Sequence, residues 1–460
     1  MSELVIDNPY TLEQVVRLPL AEGPEVDRVL DAAVAASRAW AGTPLPERAA
    51  LCSRAVEQME AQAEAIAADI TRMMGKPLRQ ARGEVAGMAK RARYMISIAE
   101  ASLVDVVLPQ DGFERRIVRV PHGVVFNLPA WNYPLLTAVN AVIPAVLAGN
   151  AVVLKHSPRS PLCGEHFAGA FARAGAPANL VQALHCDHPM AQRIAGDPRV
   201  GHVAFTGSVE GGRKVYAATA VKPWVEAGLE LGGKDGAYVA ADADLAKAVD
   251  GIVDGACYNA GQSCCAVERA YVHRSIYPAF VEAALDLMGR YVLGDPTAAE
   301  TTMGPMAQPH HPAFIDTQIK QALDRSARVL CGGRPIQVDG KGRFFEPTLL
   351  VDVAPDLDVM RIETFGPVLP VTPVDSEEEA IALINDSDLG LTASIWTKDR
   401  ERAARIAARL EVGTVYMNQC DTLDPALPWT GFKNSGKGST LSALGLLHMT
   451  RPKAINFKLG

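Results

Sequence analysis

Hydrophobic residues in the first quarter of the chain recur at every third or fourth position. Val26, Val29 and Leu30 begin this series, and such spacing places them on one face of an α-helix. Turn-forming residues at 43–46 interrupt the pattern before the next helical run starts. The pattern predicts that residues 24–103 are mainly helical.

The pattern changes at residue 117. Short runs rich in β-forming residues now alternate with helical segments, which is typical of a parallel sheet covered by helices. In the first such region the predicted strands are residues 123–128, 151–155, 181–184 and 203–205. In the second they are 237–240, 269–272, 365–374 and 393–396, with helices 277–290 and 377–384 and a terminal strand 453–459. We predict two α/β halves that meet at Gly232 and Gly233.

Residues 135–154 form the most apolar segment, which is about as long as a membrane span. Asn140, Pro144 and Asn150 interrupt it, so the sequence favours a buried helix that runs into a buried strand. The first ten residues lack a basic start followed by an apolar stretch, so no secretory signal is predicted. We expect no membrane partner.

A chain of 460 residues with 48% hydrophobic content can form about two or three domains. The net charge is −7 and no run of lysines and arginines is present, which argues against a nucleic-acid partner. None of the eight cysteines belongs to a Cys-x-x-Cys pair or has zinc-finger spacing. We therefore expect reduced thiols, a cytoplasmic location and no metal site.

Cys264 follows a glycine-containing bend in the segment NAGQSCC at 259–265. A thiol at a backbone turn is a good nucleophile when neighbouring dipoles lower its pKa. A cysteine among apolar residues is also commonly just a small buried side chain. The local sequence leaves both interpretations open, and the adjacent Cys265 competes for the same role.

Two other side chains could act beside such a nucleophile. Glu230 stands between apolar residues and before two glycines, so it is either a surface charge or a buried base whose pKa is raised toward the range for activating water. Asn132 lies between two aromatic residues in a proline-bounded loop. It could donate a hydrogen bond to an oxyanion or simply form the turn.

Residues 203–212 read as a strand, a glycine turn and the start of a helix. Free N–H groups at such a helix start can hold a pyrophosphate. The segment is not the G-x-G-x-x-G fingerprint, and Gly207 with Ser208 also makes an ordinary helix N-cap. By itself this segment does not decide between a cofactor site and a cap.

Taken together and in order, seven motifs resemble the aldehyde dehydrogenase superfamily over essentially the whole chain. They are PAWNYP (129–134), AGNAVVLKHSP (148–158), FTGS (205–208), LELGGK (229–234), GQSC (261–264), ETFGPV (363–368) and the run from GTVYMN (413–418) to PWTGFKNSG (428–436). The resemblance implies an α/β fold with a Rossmann-type cofactor domain (1–104 and 122–232), an α/β catalytic domain (233–434) and a small β oligomerisation element (105–121 and 435–460).

The resemblance also implies a mechanism. Cys264 would attack an aldehyde carbon while the Asn132 side chain and the Cys264 N–H stabilise the oxyanion. Hydride would pass to NAD, with NADP as the alternative, and Glu230 would activate the water that hydrolyses the thioester to a carboxylic acid. The implied cofactor contacts are Trp131, Lys155, Ser157, Gly207, Ser208, Leu231, Gly232, Glu363 and Phe365.

The chain departs from the family pattern in two places. Where many NAD-preferring members have a glutamate after the ribose-binding lysine, this chain has Pro158 followed by Arg159, which lowers the penalty for the 2′-phosphate of NADP. Where the family often has a lysine and a glutamate that relay the proton of the general base, this chain has Ala141 and Thr440. We expect Glu230 to exchange its proton with water directly or through backbone groups.

The resemblance places Tyr133, Tyr258, Leu423 and Trp429 along the substrate tunnel, which the loop after Asn418 would border. Because aromatic faces attract cations and Asp421 or Asp424 could add negative charge, one interpretation is an amino- or trimethylammonio-aldehyde. The other is an apolar sleeve for aliphatic or aromatic aldehydes.

Three rival functions are a CoA-acylating dehydrogenase, a cysteine esterase or transferase without a redox step, and a non-catalytic scaffold. The glutamate in the LELGG segment argues against the first, Lys155 and Glu363 against the second, and retention of Cys264 and Glu230 against the third. The resemblance implies a small-molecule aldehyde as partner and a homodimer or homotetramer.

Overall fold

The computed structural model describes residues 2–221 and 224–459. The helical run predicted for the first quarter and the alternation that follows it are both present. The elements of this half are, in chain order, β1 (Glu3–Asp7), β2 (Gln14–Pro19), α1 (Gly23–Trp40), α2 (Leu45–Ala61), α3 (Ala63–Met74), α4 (Leu78–Leu103), β3 (Val106–Val107), β4 (Phe113–Pro121), β5 (Val124–Leu128), α5 (Pro134–Leu147), β6 (Ala151–Leu154), α6 (Leu162–Arg173), β7 (Val181–Ala183), α7 (His188–Ala195), β8 (His202–Thr206), α8 (Val209–Thr219) and β9 (Glu226–Glu230).

The second half again alternates strands and helices. Its elements are β10 (Asp235–Val239), α9 (Leu245–Cys257), β11 (Val267–His273), α10 (Tyr277–Met288), α11 (His311–Asp324), β12 (Arg328–Cys331), β13 (Pro335–Val338), β14 (Lys341–Phe345), β15 (Thr348–Val351), α12 (Asp358–Arg361), β16 (Val368–Val374), α13 (Glu377–Asn385), β17 (Leu389–Gly390), β18 (Thr392–Trp396), α14 (Arg400–Ala407), β19 (Thr414–Met417), β20 (Phe432–Lys433), β21 (Gly436–Lys437), α15 (Ser442–His448) and β22 (Thr450–Lys458).

Two large sheets organise the molecule, and each is parallel except for one edge strand. The first has the order β21-β9-β8-β5-β6-β7, with β21 antiparallel. The second has the order β12-β15-β16-β11-β10-β18-β19, with β12 antiparallel. This arrangement confirms the predicted α/β fold with parallel sheets.

Each large sheet has its own hydrophobic core. One core draws almost all of its buried residues from the chain before β10, and the other lies between β10 and Leu410. Because β9 belongs to the first sheet and β10 lies inside the second, the short link between them at 231–234 passes from one core to the other. A site formed near this link can combine side chains from both halves.

A third, smaller sheet has the order β22-β4-β3 and is antiparallel. Along β22 most residues are exposed. Between β21 and β22 the chain forms α15, which packs against α4 and α5 of the first half. The C-terminal region therefore contacts both the first core and the small sheet.

The apolar segment forms α5 and β6, as expected, and α5 continues through Pro144. Within the described residues, no helix is long and apolar enough to cross a membrane. One predicted strand, 365–374, was placed too early. Phe365 has a positive φ of 51°, which breaks the extended conformation, and β16 begins only at Val368.

Candidate active site

The chain reaches Cys264 through a tight turn that follows α9. Three consecutive residues, Asn259, Ala260 and Gly261, have φ values of 53°, 56° and 69°. This left-handed conformation is costly for alanine and natural for glycine. A Cβ on Gly261 would also meet the backbone of Gly366 and Pro367. The turn is therefore held in a strained shape by the surrounding structure, which is frequent at functional sites.

Buried amide side chains fix this turn. Asn259 donates from Nδ2 to the carbonyl oxygens of Asn132 (3.2 Å) and Gln262 (3.1 Å). Gln262 donates in return to the carbonyl oxygen of Asn259 at 2.9 Å and accepts from the Ala307 N–H at 2.9 Å. These bonds join the cysteine loop to the loop that carries Asn132.

Asn132 is buried directly against the cysteine loop. Its Nδ2 donates to the carbonyl oxygen of Gln262 at 3.1 Å, and only 3% of the residue is exposed. The amide has a second N–H, and Asn132 and Cys264 line the same cleft. The two residues thus border the same space.

Glu230 ends β9 and lines the same cleft as Cys264. Its Oε2 accepts from the Thr206 hydroxyl at 3.1 Å, and its Oε1 accepts from the Thr440 hydroxyl. Burial raises the pKa of this carboxyl above its usual value, while the two hydroxyls and the charge of Arg91 oppose the rise. The raised pKa favours a group that can take a proton from water.

Cys265 has a different environment from its neighbour. Its Sγ donates to Oδ1 of Asp421 at 3.0 Å, and the Ser263 hydroxyl donates to the same oxygen at 2.8 Å. Interaction with Cys264, burial and the nearby Asp421 all raise the pKa of the Cys265 thiol well above its usual value. A protonated thiol is a poor nucleophile, so the geometry favours Cys264 over Cys265.

One cleft of about 910 Å³ brings the candidate residues together. It is lined by every residue that the resemblance assigned to catalysis or cofactor binding, namely Asn132, Glu230, Cys264, Trp131, Lys155, Ser157, Gly207, Ser208, Leu231, Gly232, Glu363 and Phe365. Both halves of the chain contribute to this lining. β8 and β9 approach it from the first half, and the 363–365 segment approaches it from the second.

The cleft also suits a dinucleotide chemically. Lys155 is buried, and its ammonium group has no hydrogen-bond or salt-bridge partner among the described residues although it lines the cleft. Burial lowers the pKa of this lysine. Ser208 caps α8 by accepting from the Gly211 N–H at 3.1 Å. Because Ser208 also lines the cleft, the start of this helix faces it. An unpartnered amine and a helix N-terminus both suit hydroxyl and phosphate oxygens.

Glu363 and Phe365 approach the cleft from the second half. Oε1 of Glu363 accepts from the Gly233 N–H at 3.1 Å. Burial, with help from the nearby Glu268, raises the pKa of Glu363 to about 8. The rings of Phe365 and Trp131 meet edge to face with centroids 5.5 Å apart, which gives this part of the cleft an aromatic wall.

Arg159, the cation after Pro158 that lowers the penalty for NADP, is paired with a carboxylate in the structure. Its guanidinium bonds to the carboxylate of Asp7 at 2.5 Å and also to the Asp7 carbonyl oxygen. The same carboxylate binds Arg343 at 2.5 Å. Asp7 lies in β1, far from Arg159 in sequence, so local sequence gave no sign of this compensation.

The four residues expected in the substrate tunnel do not line this cleft. The ammonium of Lys76 lies 4.0 Å from the ring centroid of Tyr133, so one aromatic face already carries a cation. Trp429 is buried in the first core, and its backbone exchanges two hydrogen bonds with Thr440. Burial raises the pKa of the Tyr133 and Tyr258 phenols. The charge of Asp421, which lies near both, raises it further.

Sequence reasoning missed the partners of Glu230. Both oxygens of Glu230 accept from threonine hydroxyls, and the expectation that Glu230 exchanges its proton directly with water or through backbone groups stays a prediction. The available signal was the departure at Thr440, which replaces a charged residue with one that can still donate and accept a hydrogen bond. Among the described residues, no group of three His, Cys, Asp or Glu side chains could hold a metal ion.

Comparisons with known proteins agree with this geometry. The profile described as the aldehyde dehydrogenase family matches residues 2–455. The NADP-dependent succinate-semialdehyde dehydrogenase of Deinococcus radiodurans is 35% identical over 97% of this chain and 93% of its own length. The NAD(P)-dependent succinate semialdehyde dehydrogenase of Escherichia coli is 35% identical over 95% of this chain and 94% of its own length. The solved lactaldehyde dehydrogenase of Escherichia coli has a TM-score of 0.95 at 32% identity and covers 100% of this chain and 96% of that one.

Proposed function

The chain belongs to the aldehyde dehydrogenase family and oxidises an aldehyde to a carboxylic acid with NAD(P)+, and we propose that Cys264, Glu230 and Asn132 carry out this reaction. The observation that carries the proposal is the shared cleft. These three side chains line one cavity together with Lys155 and Glu363, which the resemblance assigns to the cofactor.

Cys264 is the nucleophile in this proposal. Its thiolate adds to the aldehyde carbon and forms a thiohemiacetal, and the negative charge moves to the former carbonyl oxygen. The second N–H of Asn132 and the backbone N–H of Cys264 donate to that oxygen. The bonds from Asn259 and Gln262 support this role because they hold both donors in one rigid unit.

A bound dinucleotide would supply the acceptor for the hydride from the thiohemiacetal carbon. Lys155 and Glu363 would hold its riboses, Ser208 and the start of α8 its phosphates, and Phe365 and Trp131 would shape the space for the nicotinamide. The unpartnered ammonium of Lys155 and the capped start of α8 support these assignments. Relatives whose names give NADP or NAD(P) are consistent with use of either cofactor.

Glu230 is the general base for hydrolysis of the thioester on Cys264. It removes a proton from water as the water oxygen adds to the acyl carbon, and the Cys264 thiolate then leaves. The buried setting of the carboxyl supports the role, because its raised pKa improves its basicity. Retention of this base favours hydrolysis over transfer of the acyl group to CoA.

We propose an uncharged aldehyde as the substrate class. The face of Tyr133 is already covered by Lys76, so it offers less attraction to a cationic substrate. On the other side Asp421, beside Cys265, would repel a carboxylate. A panel of neutral, cationic and anionic aldehydes, including succinate semialdehyde, tests this. A kcat/KM highest for the anionic member contradicts it.

A Cys264→Ser variant tests the nucleophile, with Cys265→Ser as the matched control. We expect Cys264→Ser to lose NAD(P)H production and to form no acyl adduct in mass spectra of quenched enzyme. Cys265→Ser should keep both, because its thiol is bonded to Asp421. Wild-type rates in Cys264→Ser would refute the assignment.

We also propose that the chain forms a homodimer or homotetramer through β22. One edge of β22 pairs with β4, and the other edge has no partner strand among the described residues. Open edges with exposed apolar residues such as Phe457 invite pairing with a second copy. Sedimentation of a Phe457→Asp variant tests this, and an unchanged assembly would count against it. The domain division given above and the cytoplasmic location stay predictions.

A further inference from the structure

A second, small cavity adjoins Glu230. Its volume is about 20 Å³, enough for one water molecule, which needs about 10–15 Å³. Its lining includes the polar residues Asn140, His202, Glu230, Ser439 and Thr440. Ala141 also lines it, and this short side chain leaves the space open. A water here would have the two to four polar partners that a buried water requires.

Thr440 is held firmly between Glu230 and this cavity. Its backbone N–H donates to the Trp429 carbonyl oxygen at 2.9 Å, and its own carbonyl accepts from the Trp429 N–H at 2.8 Å. Trp429 is itself buried. The Thr440 hydroxyl therefore has a fixed position, from which it bonds Oε1 of Glu230 and lines the cavity.

His202 lines the same cavity. The residue is only 4% exposed, and its Nδ1 has no hydrogen-bond partner within residues 2–221 and 224–459. The two neighbouring histidines are already engaged. His448 accepts from the Ser439 N–H at Nδ1, and Nε2 of His122 bonds the carbonyl oxygen of His448, each at 3.0 Å. The imidazole of His202 therefore keeps hydrogen-bonding capacity that a water molecule could use.

We propose that the proton removed by Glu230 leaves through the Thr440 hydroxyl to a water in this cavity, and that His202 positions the water. The inference rests on the proposed role of Glu230. The protonated carboxyl gives its proton to Oγ of Thr440 as the hydroxyl proton of Thr440 passes to the water. One proton enters the chain and one leaves to solvent, so Glu230 is again a carboxylate.

The groups around the cavity keep His202 from trapping the proton. Lys437 and Arg451 lie near His202, as do His122 and His448. Because burial and these groups lower the pKa of His202 well below its usual value, it stays neutral and does not trap the proton. Lys437 lines the cavity and is exposed, so the route reaches solvent on its side. On the side of Glu230 the facing charge is Arg91.

Thr440→Val removes the hydroxyl at nearly constant volume, and Thr440→Ser restores it. Thr137→Val is the matched control, because Thr137 lines the same cavity but bonds the Tyr133 carbonyl oxygen at 2.9 Å instead of Glu230. The readouts are the NAD(P)H burst, the decay of the acyl adduct on Cys264 and the ratio of decay rates in H₂O and D₂O. His202→Leu tests the positioning residue in the same assays.

We expect Thr440→Val to keep the burst and to slow deacylation about tenfold or more, because proton transfer by a positioned group accelerates such steps. Its solvent isotope effect should change, while Thr440→Ser and Thr137→Val should resemble the wild type. His202→Leu should slow deacylation without loss of the burst.

Deacylation at the wild-type rate in Thr440→Val would overturn the proton route. So would equal losses in Thr440→Val and Thr137→Val, because they would indicate a packing effect. Failure of the proposed function gives a different result. If Glu230 is not the base, Glu230→Gln will deacylate normally or lose the burst as well. If Glu230→Gln keeps its burst and deacylates slowly, the role of Glu230 holds and only the route through Thr440 is in question.

Discussion

Glu84 in α4 accepts a hydrogen bond from the Leu135 backbone N–H at 2.8 Å, at the start of α5. The other oxygen of Glu84 pairs with Lys76, and both side chains are almost completely buried. Since Leu135 follows the loop that carries Asn132, this carboxylate ties the helical layer to the oxyanion donor. The ion pair therefore stabilises a part of the active site that it does not line.

A Glu84→Gln substitution tests this tie. It keeps the shape of the side chain but leaves Lys76 as an uncompensated buried charge, which costs about 3 kcal/mol of unfolding free energy. We expect a lower melting temperature and a smaller NAD(P)H burst, because the single carbonyl oxygen of glutamine cannot accept from both Lys76 and the Leu135 N–H. The Lys76→Met/Glu84→Gln double variant should regain stability. A double variant less stable than Glu84→Gln would show that the pair itself is not the source of the effect.

Gly261→Ala should disturb the nucleophile loop. The added Cβ meets the Gly366 backbone, and the residue must keep a φ of 69°. We expect a loss of about 1–2 kcal/mol or more in stability and a strong loss of acylation. Gly175→Ala is the control, because it has φ 83° but no atom within 4 Å of the new Cβ. Similar loss of acylation in both variants would mean that backbone strain alone, not the contact, matters.

Asp7→Asn should raise the affinity for NADP+ relative to NAD+. Burial alone would raise the pKa of Asp7, but hydrogen bonds from Arg343 and Arg159 hold it at about 2, so the carboxylate is charged at neutral pH and offsets the charge of Arg159. Removing it exposes the cleft to that cation. Calorimetric Kd values for the two cofactors give the readout, with Asp197→Asn, another arginine-paired acid, as control. An unchanged Kd ratio would place the 2′-phosphate away from Arg159.

The same pair predicts an acid-dependent loss of stability. Because the folded pKa of Asp7 lies below its unfolded value near 3.8, the pair contributes stability above pH about 4, and this contribution disappears as the pH falls toward 2. Asp7→Asn should lack that part of the acid transition in thermal melts recorded at stepped pH. A variant with the acid transition of the wild type would assign it to other carboxylates.

Arg91→Gln should move the acid limb of deacylation to higher pH. The charge of Arg91 lowers the pKa of Glu230, against the larger rise caused by burial. Only the ionised carboxylate takes a proton from water, so deacylation rises with pH as Glu230 ionises, and loss of the cation shifts that rise upward. Arg93→Gln is the control. Arg93 lies on the same helix as Arg91, but it pairs with Glu60 of α2 at the protein surface. Coincident pH profiles for wild type and Arg91→Gln would refute the coupling.

The sequence alone determined many of the secondary-structure elements and the candidate reactive residues of this protein. Hydrophobic periodicity predicted the helical first quarter and the strands around Val124–Leu128 and Ala151–Leu154, because fully buried strands and amphipathic helices leave a local signature. The ordered motifs predicted Cys264, Glu230 and Asn132 as the catalytic groups and Lys155 as a cofactor contact. Such groups are recognisable because their reactivity depends on residue type and on turns encoded by a few neighbouring residues.

The tertiary structure alone decided which ion pairs and hydrogen bonds the candidate site residues form. Asp7 pairs with Arg159 across 152 positions of sequence, and Thr440 reaches Glu230 across 210. Such pairs form only when β1 packs beside the cofactor cleft and β21 pairs with β9. A hydrogen bond depends on the distance between two atoms, and residues so far apart in the chain acquire that distance only when the sheets and their cores are assembled.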